Sequence, residues 1–303
     1  MKWAQWALLG ALGLMAGDYI RRRVRAQKIY NASQARVRQV QVDDVIEREL
    51  DDNLSREQVL AQLPPVTRYL DQRRYEIARQ WISATKRGGR FLDAGCGDGY
   101  VLQEMARAFP SHFEFFLGAD ISYYKCALAR ARLDERFGLN IANVEGLPYA
   151  DSAFDVILCT EVLEHLLNVQ PGVAELWRVC GKEGCLILST PSKQAMFFSF
   201  YNPFTWFEAL LGLFVPDALP PFHNLEKPGD AQSVVHRAFT IQELQNELRA
   251  FSGLTIRTCH FRLPGVFYRF VQSPRAYARI EEFLARVPLV NRLGQTLIVF
   301  AVK

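Results

Sequence analysis

The chain has no C-x-x-C pair, no internal repeat and no low-complexity tract. Its six cysteines (Cys96, Cys126, Cys159, Cys180, Cys185 and Cys259) have no His at metal-ligand spacing, so no metal site is expected. Most of them stand in apolar runs, where Cys acts as a small core residue, and this fits a reducing compartment. Only 22% of the 303 residues are charged and 50% are hydrophobic, which excludes intrinsic disorder. There is no Gly-X-Y period for a fibre and too few long apolar runs for a multi-pass membrane protein. The length suits one large domain with appendages.

Acidic residues are missing from one stretch. Between Tyr19 and Val42 there are seven basic residues (Arg21, Arg22, Arg23, Arg25, Lys28, Arg36 and Arg38) and no acidic ones. The whole chain carries +4, so the remainder comes to −3. The basic signal is a local arm, and the body shows no electrostatic footprint for a nucleic acid.

Ahead of the arm lies WAQWALLGALGLMAG, residues 3–17, with Gln5 as its one strongly polar member. Extended to Ile20 it would form a helix about 27 Å long, close to the ~30 Å hydrocarbon core. Trp3 and Trp6 suit a membrane interface. Lys2 is a thin n-region and Met15–Gly17 a poor cleavage site, which argues against a removed signal peptide. Residues 1–28 are therefore expected to be a membrane anchor. The arginines would face the cytoplasm and touch anionic headgroups. A buried N-terminal helix is the alternative.

Residues 29–66 read as a helical linker. Ser55 with Gln58 forms a capping-box signal, and Pro64-Pro65 ends that helix. A second helix is expected over about 67–85. The chain then alternates strands (90–94, 114–120, 139–143, 154–160, 185–190, 254–261, 296–302) with helices (98–109, 122–137, 170–180, 240–251, 274–286). That alternation predicts an α/β fold with a doubly wound, mostly parallel sheet.

The sharpest motif is FLDAGCGDGYVL, residues 91–102. A strand runs into Asp93, a turn carries Gly95, Gly97 and Gly99, and a helix follows. Glycines let the backbone turn tightly and approach a ligand closely. A dinucleotide loop would read G-x-G-x-x-G. This one is G-x-G-x-G flanked by Asp93 and Asp98, which suits a ligand with positive charge. About 25 residues on, GADIS puts Asp120 at a strand end, where a carboxylate can accept from both ribose hydroxyls. NVEGLPYADSAFDVILCTEVLEHL, residues 143–166, would line the same crevice.

Together these segments resemble class I S-adenosylmethionine-dependent methyltransferases, and within them the small-molecule and quinone methyltransferase group. LILSTPS (186–192) and HRAFTIQEL (236–244) fit the same pattern, so the resemblance covers about residues 67–303. It implies a Rossmann-like, seven-stranded sheet in the order 3-2-1-4-5-7-6 with the last strand antiparallel. It implies S-adenosyl-L-methionine as cofactor. By the same resemblance Asp93, Gly95, Cys96, Gly97 and Gly99 would hold its methionine part, Asp93 aiding the ammonium. Asp120 would take the ribose hydroxyls, Ile121 would pack on adenine, and Cys159 and Thr160 would pass close by. Asn143 and Val144 would read the adenine. Asp is usual at the first of these positions, though an Asn carbonyl can also accept from an amine.

The catalytic group is not legible. His165 and His236 are candidates for a base, with packed or loop-positioning roles as alternatives. Glu161 and Glu164 read as solvated or helix-dipole residues as readily as catalytic ones, and Glu145 as a cap or a ligand contact. No N-P-P-Y-type loop follows the fourth strand, which weighs against a nucleic-acid or protein substrate.

An insertion at about 192–237 speaks to the acceptor. Residues 196–216 hold eight of the 37 aromatics. Such an apolar cover suggests a small lipophilic acceptor or membrane contact. A soluble metabolite or sugar as acceptor, or a non-catalytic membrane-bound scaffold with this fold, are the alternatives.

Overall fold

The structure is a computed structural model. It describes residues 55–85, 88–166, 168–197, 223–225, 235–261, 271 and 273–303, together with Gly17, Ile20, Arg21 and Val24. Ser55 caps helix α1 (Arg56–Gln62) by accepting from Gln58 N–H, and Gln58 returns the bond, as the sequence predicts. Pro65 opens α2 (Pro65–Thr85), where its missing N–H costs nothing.

The strands that follow are β1 (Gly89–Ala94), β2 (Phe113–Asp120), β3 (Phe137–Ile141), β4 (Phe154–Thr160), β5 (Cys180–Pro191), β6 (His223–Leu225), β7 (Val235–Arg237), β8 (Ser252–Cys259) and β9 (Thr296–Val302). Between them run α3 (Tyr100–Ala108), α4 (Tyr123–Arg132), α5 (Val169–Val179), α6 (Lys193–Phe197), α7 (Ile241–Glu247) and α8 (Pro274–Leu284). One seven-stranded sheet has the order β3-β2-β1-β4-β5-β9-β8, and β6 and β7 pair by themselves. The last strand, β9, is antiparallel to both neighbours. Within the large sheet this is the expected 3-2-1-4-5-7-6 order.

Both faces of the sheet are covered, so its strands are apolar on both sides. The two-residue period sends Leu92, Ile157, Leu186 and Leu297 to one face, where Leu176 of α5 and Leu244 of α7 meet them. Phe91, Val156, Ile187 and Ile298 go to the other, against Ile77 and Ile82 of α2 and Leu102 and Met105 of α3.

Several boundaries differ from expectation; β5, for one, starts at Cys180 rather than 185. The helix predicted over 122–137 stops at Arg132, because Asp134 binds the Arg136 N–H and guanidinium and closes a turn. β3 then starts at Phe137, which pairs with Phe116, two residues before the predicted start. Asn143 consequently lies beyond the strand. The predicted unit of helix 240–251 and strand 254–261 holds, although α7 ends at Glu247 rather than residue 251.

Among the described residues no helix is long and apolar enough to cross a membrane. The expected anchor at 3–20 and the basic arm lie outside the described residues, apart from Gly17, Ile20, Arg21 and Val24, which are helical and exposed. Most of the aromatic insertion also lies outside them.

Candidate functional site

The chain winds outward from β1 to β3 and then crosses to β4, so the sheet changes direction between β1 and β4. Ligands in open α/β sheets bind in the crevice at such a point, outside the carboxyl ends of the strands. A cavity of about 490 Å³ lies there, lined by the turn after β1, the end of β4 and side chains of α1 and α2.

The glycine turn is held from beneath. Gly95 and Cys96 N–H both donate to the Ala119 carbonyl, at 2.7 and 3.0 Å. Gly97 N–H donates to Asp120 Oδ2 at 2.8 Å. Gly95 has φ +86°, and a Cβ there would sit 2.2 Å from Val162 Cγ2. Gly97 has φ +53°, and a Cβ there would meet nothing within 4 Å. The first glycine is needed for packing, while the second leaves backbone bare on the open side.

Asp93, at the end of β1, is 1% exposed, and its Oδ2 has no hydrogen-bond partner. Burial, reinforced by the nearby Asp120 charge, pushes its pKa up to about 8. Across the cavity stands Arg74 of α2, 6% exposed, with an unpartnered Nε. Burial opposes its charge, but Tyr75, Glu161 and Asp71 around it outweigh burial and raise its pKa. Its ring contact with Tyr75 measures 4.7 Å. One buried acid and one buried base, each with an unused polar atom, thus share one cavity. Sequence reasoning missed Arg74; the sole signal was a charged residue on the apolar face of an amphipathic helix.

Three acids behave differently from expectation. Asp98 is not turned to a ligand as a free charge. It accepts from Arg56 N–H at 2.7 Å and Tyr100 N–H at 3.2 Å, and pairs with Arg132 at 3.4 Å. It ties α1 and α4 to the glycine turn. Glu161 is half-buried and Glu164 fully buried. Glu161 lines the cavity with φ +55°, its Oε1 accepting from Ser189 Oγ at 2.7 Å. Glu164 is fully buried and accepts from Thr190 Oγ1 at 3.3 Å. Burial, then the Glu161 charge, pushes its pKa well up.

Asp120 accepts from Gly97 N–H and from Ser122 N–H, at 2.8 and 2.9 Å, which leaves lone pairs on both oxygens. Burial raises its pKa against those two bonds. Half-buried Ile121 follows it at the end of β2. Asn143 Oδ1 accepts from Glu145 N–H at 3.0 Å, closing a turn, and Val144 is buried in the core. Glu145 accepts from Asn168 N–H at the start of α5. Thr160 and Cys96 line the cavity. Cys159 is fully buried with its side chain in the α5-side core, because neighbouring strand residues point to opposite faces. His165 is exposed on the short turn Leu163–His165. His236 pairs with Asn224 in the β6–β7 ladder, and its side chain falls outside the described residues.

Residues 92–188 match the model of a family described as "Methyltransferase domain". A Mycolicibacterium smegmatis protein assigned as an S-adenosylmethionine-dependent methyltransferase is 32% identical over 124 residues, 40% of this chain and 45% of that protein. The ubiquinone/menaquinone biosynthesis C-methyltransferase UbiE of Geotalea uraniireducens is 25% identical over 59% of this chain and 75% of its own. The chain spans less than half the length of the first two curated relatives it matches. A solved S-adenosylmethionine-dependent methyltransferase fold from Listeria monocytogenes superposes with a TM-score of 0.50 at 13% identity, over 77% of this chain and 98% of that one. Residues 92–188 thus match a methyltransferase domain, and the seven-stranded sheet that carries them has the fold of the solved S-adenosylmethionine-dependent methyltransferase.

Proposed function

We propose that the protein transfers a methyl group from S-adenosyl-L-methionine to a small lipophilic acceptor at a membrane surface. The observation that carries the transfer is the pair Asp93 and Arg74. Each is buried with a polar atom unused, a carboxyl and a guanidinium in one cavity. The amino-acid end of the cofactor carries an ammonium and a carboxylate, which complement that pair. The residues present therefore fit the cofactor.

In this reading Asp93 accepts from the ammonium and Arg74 clamps the carboxylate. The bare backbone at Gly97 admits the methionine chain, and Asp120 takes the ribose hydroxyls with its remaining lone pairs. Ile121, Asn143 and Val144 flank the adenine. The bound cofactor supplies an already activated methyl group. The protein's task is alignment and exclusion of water, worth several kcal/mol in well-oriented reactions. Thr160 and Glu161 face the acceptor side, with His165 and His236 as further candidates for proton acceptance.

The lipophilic acceptor rests on the aromatic 196–216 stretch and on the relative named for quinone biosynthesis. The membrane surface rests on the apolar 3–20 segment and the seven-charge arm behind it, with the domain on the cytoplasmic side. Isothermal titration of the full chain in detergent tests the first step: no heat of binding with S-adenosylmethionine refutes it. Lipid extracts from cells with and without the gene, compared by mass for one methyl increment, test the acceptor. An unchanged lipid profile alongside a missing soluble metabolite would favour the tethered, soluble-acceptor reading.

A further inference from the structure

The C-terminal part of the body carries a second basic surface. Residues 261–293 hold six arginines and two glutamates, a net +4. With +7 on the N-terminal arm and +4 overall, the remaining residues come to −7. The body is thus polarised, which its mild average charge conceals.

Among the described residues the fold turns four of these arginines outward. Arg275, Arg279 and Phe283 follow each other at helical spacing along α8, and all three are exposed. Arg286 continues the row one turn later, and Leu289 and Arg292 follow, also exposed. Phe283 is 66% exposed and Leu289 45%. Leu289 sits in left-handed backbone at φ +69°, a conformation that costs a non-Gly residue about 1–2 kcal/mol. The opposite face of α8 is locked inward. Glu281 accepts from Tyr69 Oη at 2.8 Å and His260 N–H at 2.7 Å, and pairs with Arg73 at 3.4 Å. Tyr277 is fully buried and donates to the Phe261 carbonyl. One of the two glutamates is therefore withdrawn from the surface, leaving four exposed arginines against Glu282.

We infer that the outer face of α8 with the turn after it, residues 275–292, docks on an anionic lipid surface. Arginines would meet the headgroups while Phe283 and Leu289 enter the interface. A nucleic acid would use the arginines but leave Leu289 in water. Docking of this face does not depend on the catalytic reading. Because α8 is bolted to α2, which carries Arg74, docking would hold the cofactor cavity in a set orientation at the membrane.

The test uses the full chain on vesicles, with Phe283→Cys carrying an environment-sensitive dye; the six native cysteines are buried. Flotation confirms that protein and vesicles travel together. On vesicles with 30% phosphatidylglycerol in phosphatidylcholine, the dye emission should shift to the blue. On pure phosphatidylcholine it should not. Arg275→Gln with Arg279→Gln should raise the anionic lipid needed for half the shift about 25-fold, roughly fivefold per charge. The exposed control Lys182→Cys should keep the emission of a dye in water. A water-like dye at 283 on vesicles that carry the protein overturns the proposal. So does an equal shift at 182, or a shift produced by an oligonucleotide but not by vesicles.

Discussion

Replacing Asp93 by Asn tests whether the cavity is built to receive a cation. The Asp93 carboxyl, buried with one oxygen unpaired, titrates near pH 8 in the folded protein against ~3.9 in an unfolded chain. Between those values the folded state holds a proton that the unfolded state has released. Stability must then fall as pH rises through that window, and the fall ends above about pH 8. Between pH 7 and 9 the carboxyl should cost the cofactor-free protein about 1 kcal/mol, one pH unit's worth of proton linkage. For a domain of this size that is about 3 °C in Tm. Asp93→Asn keeps the shape and removes the titration. Its Tm should therefore fall about 3 °C less than that of the wild type over the same range, and it should bind S-adenosylmethionine poorly. Saturating cofactor, whose ammonium would stabilise the carboxylate, should erase the wild-type drop. Differential scanning fluorimetry at fixed ionic strength reads all of this. Parallel Tm–pH curves for wild type and variant without cofactor would refute the reasoning.

Arg74→Met should weaken cofactor binding about 10- to 100-fold, the worth of a charged hydrogen bond, by titration calorimetry. Arg74→Lys, which keeps charge but loses the fork, should fall between. Gly95→Ala forces φ +86° on a residue with a Cβ and drives it into Val162, so binding should be lost and Tm lowered. Asp98→Ala removes the acceptor shared by Arg56 N–H, Tyr100 N–H and Arg132. It should cost about 2–3 kcal/mol by urea unfolding and increase proteolysis near α1.

Much of the fold was legible because local chemistry carries it. Apolar runs named every strand of the large sheet, and the capping boxes at Ser55 and Thr240 marked helix starts that the structure keeps. β3 was misplaced because its sequence suits strand over several registers, and pairing with β2 chooses one. In the site, the glycine turn, Asp93 and Asp120 were readable since their spacing is itself the constraint. Arg74 and the true partner of Asp98 were not, because the atoms that define them lie far apart in the chain: Arg56 is 42 residues before Asp98.

By itself the sequence determined the alternating α/β pattern, the glycine turn and the signs of the charges, since each follows from residue type and short spacing. Only the tertiary structure decided what each charge faces. It withdrew Asp98 and Glu281 into ion pairs, buried Glu164, aimed Asp93 and Arg74 into one cavity, and left the arginines of α8 in water. The physical reason is that a charge acts through its surroundings, and those are assembled from segments that the chain order keeps apart.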